Sequence, residues 1–187
     1  MDDTLLSLAV AVLTLVVAAM LFCLLRIAAI LNAQDYLRSP AALPVGSRLP
    51  EISGRRLRDG EFLSGNFLAG QAAVLLFLSP DCADCRRRVD ELAGIYEDIQ
   101  HSGVQLWVIS ARSRQRMRAF LGDSPLRDHV LLVSAAVRRA LNPRNAAPFY
   151  LFIDSEGQVI ASNFIGDDDW LSFVEQVRGR ESGPLNT

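Results

Sequence analysis

The residues best suited to chemistry in this sequence are Cys82-Ala83-Asp84-Cys85, two thiols separated by two positions. At the start of a helix that spacing lets the sulfurs close a small disulfide. The free N–H groups and positive potential of the helix N-terminus favour a thiolate, the species that attacks disulfides. In this geometry Cys82 is the exposed nucleophile and Cys85, one turn inside, resolves the mixed disulfide. The neighbouring charges oppose one another: Arg86, Arg87 and Arg88 add positive charge, while Asp81 and Asp84 work against thiolate formation. Two blander readings stand beside this one, half of a metal site or a merely structural pair. A zinc site would need a second ligand pair, yet His101 and His129 are far apart and no other C-x-x-C exists. All 19 basic residues are arginine, so Schiff-base chemistry is excluded.

The flanking sequence predicts how the pair is held. Residues 72–78 are a continuous apolar run, too short for a typical buried helix, and read as a central strand buried on both faces. Ser79-Pro80-Asp81 breaks it. From Cys82 to Ile99 the apolar positions Val89, Leu92, Ile95, Tyr96 and Ile99 recur at threes and fours, predicting one amphipathic helix. A second core strand follows at 104–109, then a basic helix over 112–121 ended by Gly122, a short strand at 130–133 and a helical piece over 134–141 stopped by Asn142-Pro143. Residues 149–153 and 158–164 read as a β-hairpin around Asp154-Ser155-Glu156-Gly157, and 167–177 as a closing helix. Pro148 precedes the hairpin, where a cis bond would hold a backbone edge open for an extended chain. An ordinary trans proline opening a strand is the alternative, and the sequence leaves both open.

The 187 residues, half of them hydrophobic, suffice for one domain of ordinary size. With 19 basic against 21 acidic side chains, no broad nucleic-acid footprint is expected. Residues 5–25 carry no charge and, as a helix, would reach about 30 Å, the hydrocarbon thickness of a bilayer. Asp2 and Asp3 replace the basic start of a cleavable signal, and apolar sequence continues to Leu31, so residues 1–31 read as an uncleaved anchor. Cys23 within it is taken as packed or lipid-facing rather than functional. Residues 32–49, with Pro40, Pro44 and Gly46, read as a tether, 50–179 as the domain, with a lead-in hairpin about Asp59-Gly60, and 180–187 as a frayed tail. Arg26 and Arg38 follow the apolar span with no basic residue before it, which by the positive-inside rule alone would leave the domain in the cytoplasm.

The combination of strand, C-x-x-C opening a helix, and a proline before a hairpin resembles the thioredoxin fold, in its membrane-anchored TlpA/ResA-like bacterial branch. Closer still is the likeness to MauD-type accessory proteins for methylamine dehydrogenase maturation. It is carried by the N-terminal anchor, by Leu75-Leu76-Phe77-Leu78-Ser79-Pro80-Asp81-Cys82-Ala83-Asp84-Cys85, and by Ala147-Pro148-Phe149-Tyr150-Leu151-Phe152-Ile153-Asp154-Ser155-Glu156-Gly157. It covers nearly the whole chain, and the Leu-Ser-Pro lead-in is its most discriminating part. The resemblance implies an α/β fold with a central mixed sheet flanked by helices, behind one N-terminal transmembrane helix. It further implies a soluble domain on the periplasmic side of the cytoplasmic membrane, a cysteine-containing periplasmic client and an integral membrane electron-transfer partner. No cofactor beyond the redox-active Cys82–Cys85 pair, no metal and no nucleic acid are expected. Cys82 takes the place of the family's nucleophile, Cys85 of its resolving cysteine, and Pro148 of its cis-proline, with Ala147 and Pro148 shaping the substrate groove. The chain departs from the family in having Ala83 where proline usually follows the first cysteine, and Ala147 where Thr or Val usually precedes the cis-proline. On orientation the family is followed against the two arginines.

Several other features read as structural. Arg112, Arg114, Arg116 and Arg118 are expected on a solvated helix face, Asp167-Asp168-Asp169 to cap a helix, and Trp107 and Trp170 in the core. The function expected is a membrane-anchored thiol–disulfide oxidoreductase. Alternatives are a non-catalytic thioredoxin-fold scaffold in a membrane-bound maturation complex and a TlpA/ResA-like reductase in cytochrome c maturation. A peroxidase of the related peroxiredoxin kind is a weaker option, since Ser79-Pro80-Asp81-Cys82 only imitates the Thr-x-x-Cys spacing of that site.

Overall fold

In the computed structural model, residues 7–8, 11–26, 43–65 and 67–179 are described. The chain divides into two compact units, Met1–Ser39 and Pro40–Thr187. In the first, residues 11–26 are helical (α1). This run spans about 24 Å at 1.5 Å per residue. Among the described residues no helix is long and apolar enough to cross a membrane. The predicted span 5–25 extends over positions 5–6 and 9–10, which lie outside the described residues, as do 27–42 and the tail 180–187.

The second unit is built on one seven-stranded sheet in the order β2-β1-β5-β4-β3-β6-β7. Its strands are β1 Gly54–Arg56, β2 Phe62–Leu63, β3 Ala73–Phe77, β4 Gln105–Ser110, β5 Val130–Val133, β6 Phe149–Ile153 and β7 Val159–Phe164. β3, β4 and β5 run parallel, while β1, β2, β6 and β7 are antiparallel to their neighbours. Parallel neighbours need crossover connections. These are α2 Ala83–Gly94 with α3 Tyr96–His101, and then α4 Arg114–Leu121 with the 3-10 turn Pro125–His129. α5 Ala135–Leu141 leads back toward β6, and α6 Asp168–Gly179 closes the chain.

β3 lies in the interior of the sheet, between β4 and β6, because its side chains are apolar on both faces. Val74, Leu76 and Leu78 join Leu106, Val108 and Tyr150 in one buried cluster against α2, α4 and α6, whereas Leu75 and Phe77 join Ile109, Leu131 and Leu151 in the other. The predicted strands are met within a residue or two. The helix expected over 82–99 is two helices, broken at Ile95, whose φ of −111° and ψ of 4° leave the helical range. The apolar spacing continues across the break, because Val89, Leu92, Ile95 and Ile99 all enter the same core. Ser113 and Ser134 cap α4 and α5 through their side chains, so the helices begin two residues and one residue inside the predicted starts. Asp167 accepts from the Trp170 N–H at 3.0 Å, which is the capping expected of it, and also takes the Tyr150 hydroxyl at 2.9 Å. Trp107 and Trp170 are buried in the core as expected.

Part of the predicted tether belongs to the sheet unit. Gly46 N–H donates to Val159 O, Leu49 N–H to Gly157 O, and Arg48 bridges Gln158, so these residues run along the hairpin. Pro44 and Gly46 look like linker residues in sequence. Here they serve a turn in which Ser47 N–H returns to Pro44 O and Gly46 adopts φ +82°.

Candidate active site around Cys82 and Cys85

Three helices begin where β3, β4 and β5 end, and the cysteines sit at the first of these starts. Cys82 is the N-cap residue of α2, with extended backbone (φ −107°, ψ 117°). Its sulfur accepts the Cys85 N–H at 3.1 Å, one of the amides a helix start leaves without an intrahelical partner. Cys82 N–H donates to Ser79 O and Arg86 N–H to Cys82 O, so the Ser79-Pro80-Asp81 break folds as a turn that delivers Cys82 to the cap. Both thiols are free in this structure, Cys82 half-buried and Cys85 buried.

Cys85 faces the core among Val89, Leu92 and their neighbours. Burial first, and then the hydrogen bond to Cys82, push its thiol from the ordinary value near 9.0 up to about 12. Burial thus divides the two sulfurs into a reachable one and one held as a thiol. A stability consequence follows. A thiol whose folded pKa is raised contributes stability that is present below its unfolded pKa and is lost as pH rises through the folded one. The reduced protein should therefore lose stability between pH 9 and about 12. The oxidised protein has no Cys85 proton to release and should lack this component of the loss. Denaturant titrations of the two redox forms across that range test it: curves that fall in parallel would show that Cys85 is not held as described.

The second wall comes from the far end of the domain. The Ala147-Pro148 peptide is cis, and the Cys82 thiol donates to the Ala147 carbonyl at 3.7 Å, across 65 residues of chain. The residue before it, Ala146, is held by a side chain that reads in the sequence only as a helix terminator. Asn142 is fully buried; its amide donates to Ala146 O at 2.8 Å and its carbonyl accepts from Ala146 N–H at 2.9 Å. Asn145 in the same loop takes a positive φ of 53°. On the other side Pro148 O accepts from Ile165 N–H, tying the proline to the end of β7. Pro148, Ile165 and the exposed Phe164 line a groove with Asp84, Arg87, Arg88 and Glu91 of α2. All four residues singled out in the sequence, Cys82, Cys85, Ala147 and Pro148, thus meet in one place.

The charges around the pair are arranged differently from the sequence reading. Asp81 and Asp84 do not stand alone against a thiolate. Asp81 is gripped by Arg112 at 2.9 Å and Arg116 at 2.5 Å, and Asp84 pairs with Arg87. Two of the arginines assigned to a solvated face of α4 are therefore at the site. No local pattern could show this, because the partners lie 31 and 35 positions apart. Arg86 donates to Pro80 O and covers the Phe120 ring. On α5, Arg138 feels both Arg112 and Cys85; burial foremost, and then Arg112, lower its pKa.

Residues 45–171 match the sequence profile of the AhpC/TSA family. No curated protein sequence matches the chain. Among solved structures, it is similar to the thioredoxin domain of a thiol-disulfide oxidoreductase from Bacteroides vulgatus. The identity is 21% and the TM-score 0.60, over 73% of this chain and 99% of that one. A thiol:disulfide interchange protein from Bacteroides sp. gives 20% and 0.60, covering 76% and 96%. One from Chlorobium tepidum gives 19% and 0.58, covering 74% and 98%. The architecture is accordingly a thioredoxin-like α/β fold.

Proposed function

Since the chain belongs to the AhpC/TSA family, and since its two active-site thiols sit at a helix start beside a cis-proline loop, we propose that it is a membrane-anchored thiol–disulfide oxidoreductase. Its soluble domain would face the periplasm. The observation that carries this reading is the position of the Cys82 sulfur, 3.1 Å from the Cys85 N–H and 3.7 Å from Ala147 O. An amide donor stabilises charge on the sulfur, and the backbone beside Pro148 offers an edge for the polypeptide that brings the disulfide.

The exchange runs in two displacements. Cys82 as thiolate attacks one sulfur of a client disulfide, forming a Cys82–client bond and releasing the other client sulfur as a thiolate. Cys85 then loses its proton to that leaving thiolate or to water, attacks the Cys82 sulfur and expels the client's second thiol. The client gains two electrons and the protein is left with a Cys82–Cys85 disulfide; the reverse sequence oxidises a client.

The finer reading is a MauD-type role, in which the client is the cysteine-rich small subunit of methylamine dehydrogenase and an integral membrane partner passes electrons. It is supported by the Leu78-Ser79-Pro80 lead-in and by the apolar N-terminal segment. Ala83 and Ala147 flank the attacking sulfur, so redox poise and client choice are the properties in which this chain should differ from its relatives. In a strain that makes the protein with Cys23→Ser, a membrane-impermeant maleimide should reach Cys82 in intact spheroplasts, before or after reduction. Labelling that begins only when the membrane is permeabilised would place the domain in the cytoplasm and reverse the topology.

A further inference from the structure

We infer that the face around Cys82 is a cationic docking surface, and that the polypeptide whose disulfide it exchanges is acidic near its cysteines. The inference rests on the oxidoreductase reading and adds the chemistry of the partner. Five guanidinium groups lie around the pair: Arg112 and Arg116 on Asp81, Arg87 on Asp84, Arg86 on the Pro80 carbonyl, and the half-buried Arg138 of α5 within electrostatic reach of Cys85. The carboxylates among them are Asp81 and Asp84, and both are already held, Asp81 by two arginines and Asp84 by one. The next pair along α2, Arg88 with Glu91, neutralises itself. Neither α4 nor α5 contains a single acidic residue.

This positive charge is local, because the whole chain has a formal net charge of −2. It is also available to a partner. Arg112 and Arg116 keep 45% and 51% of their side-chain surface in solvent while holding Asp81. The N-terminal ends of α2 and α4 add positive potential at the same edge of the sheet. Such a field concentrates anionic partners and speeds their encounter. A polypeptide fits better than an anionic bilayer, since a membrane lying on this face would cover the sulfur that has to be reached.

The test uses the reduced full-length protein in nonionic detergent and three peptide disulfides of equal length, flanked by acidic, uncharged or basic residues. At about 10 mM ionic strength the acidic peptide should react at least about tenfold faster than the basic one, and the ratio should approach one near 1 M salt, where screening acts within about 3 Å. Arg112→Gln with Arg116→Gln should shrink the ratio further, and Asp81→Asn should enlarge it. Each rate is divided by that for the uncharged peptide, which removes changes in intrinsic sulfur reactivity. Equal rates for all three peptides at low salt, or a faster basic peptide, would overturn the inference while leaving the oxidoreductase reading in place. Failure of even the uncharged peptide to react would overturn both. If vesicles of anionic lipid suppress the reaction with the uncharged peptide, the patch is a bilayer contact and the inference is again overturned.

Discussion

Replacing Cys82 by serine should abolish disulfide exchange, lowering the rate with a protein disulfide by at least about a thousandfold. A hydroxyl is not ionised near neutrality and cannot form the mixed disulfide. Folding should be almost untouched, because the serine oxygen can still accept the Cys85 N–H as an N-cap side chain. Loss of activity with an unchanged melting temperature is therefore the expected signature. Cys85→Ala removes only the second displacement, so this variant should complete one attack and stop. Comparable turnover by wild type and Cys82→Ser would show that exchange does not pass through Cys82, whereas no turnover by either would fit a static clip on a scaffold. A peroxiredoxin-like peroxidase is the weaker alternative. Around Cys82, however, the Ser79 hydroxyl is engaged by Asp81 N–H, and Arg112 and Arg116 by the Asp81 carboxylate. Peroxide should accordingly be consumed far more slowly than a protein disulfide is exchanged.

The second large effect is expected at a residue that touches neither sulfur. Asn142→Ala would leave Ala146 N–H and C=O without their partners inside the fold. At about 1–3 kcal/mol for each fully buried group left unpaired, the two half-buried groups of Ala146 set an upper bound of roughly 2–6 kcal/mol. The Ala147 carbonyl that receives the Cys82 thiol would also shift, and a displacement of about 1 Å can cost a hundredfold in rate. Asn142→Asp separates the two bonds: its carboxylate still accepts from Ala146 N–H but offers no donor to Ala146 O. The charge it buries against Ala146 O at a fully enclosed position costs more than the lost donor, so at neutral pH its stability should fall at least as far as that of the alanine variant, as measured by denaturant titration of the three proteins. An alanine variant as stable and as active as wild type would show that the loop is held by other means.

Asn142 also marks where the sequence stops being informative. The strands could be read because their signal is local: runs such as Ala73–Phe77 and Phe149–Ile153 are apolar on both faces whatever surrounds them. The cysteine pair could be read for the same reason, since a strand, a break and a helix start adjoin it in the chain. Asn142 before Pro143 has the composition of a stop signal, and nothing nearby shows that its amide will grip the backbone four residues on. The grip of Arg112 and Arg116 on Asp81 is invisible for a different reason. It joins two helix starts that meet only after β3 and β4 have paired, and on its own helix each arginine looks like a solvated charge. The break at Ile95 was hidden because both halves of the helix bury the same apolar stripe.

In the proposed exchange Cys82 attacks a client sulfur and Cys85 releases it. The most direct measurement incubates the Cys85→Ala protein with a disulfide-bonded protein substrate such as insulin, quenches with acid, and maps the products by intact mass and peptide analysis. A covalent adduct through Cys82 is expected, reversed by a thiol reductant and absent from the Cys82→Ser, Cys85→Ala double variant. No adduct, or one that forms through Cys23 alone, would contradict it.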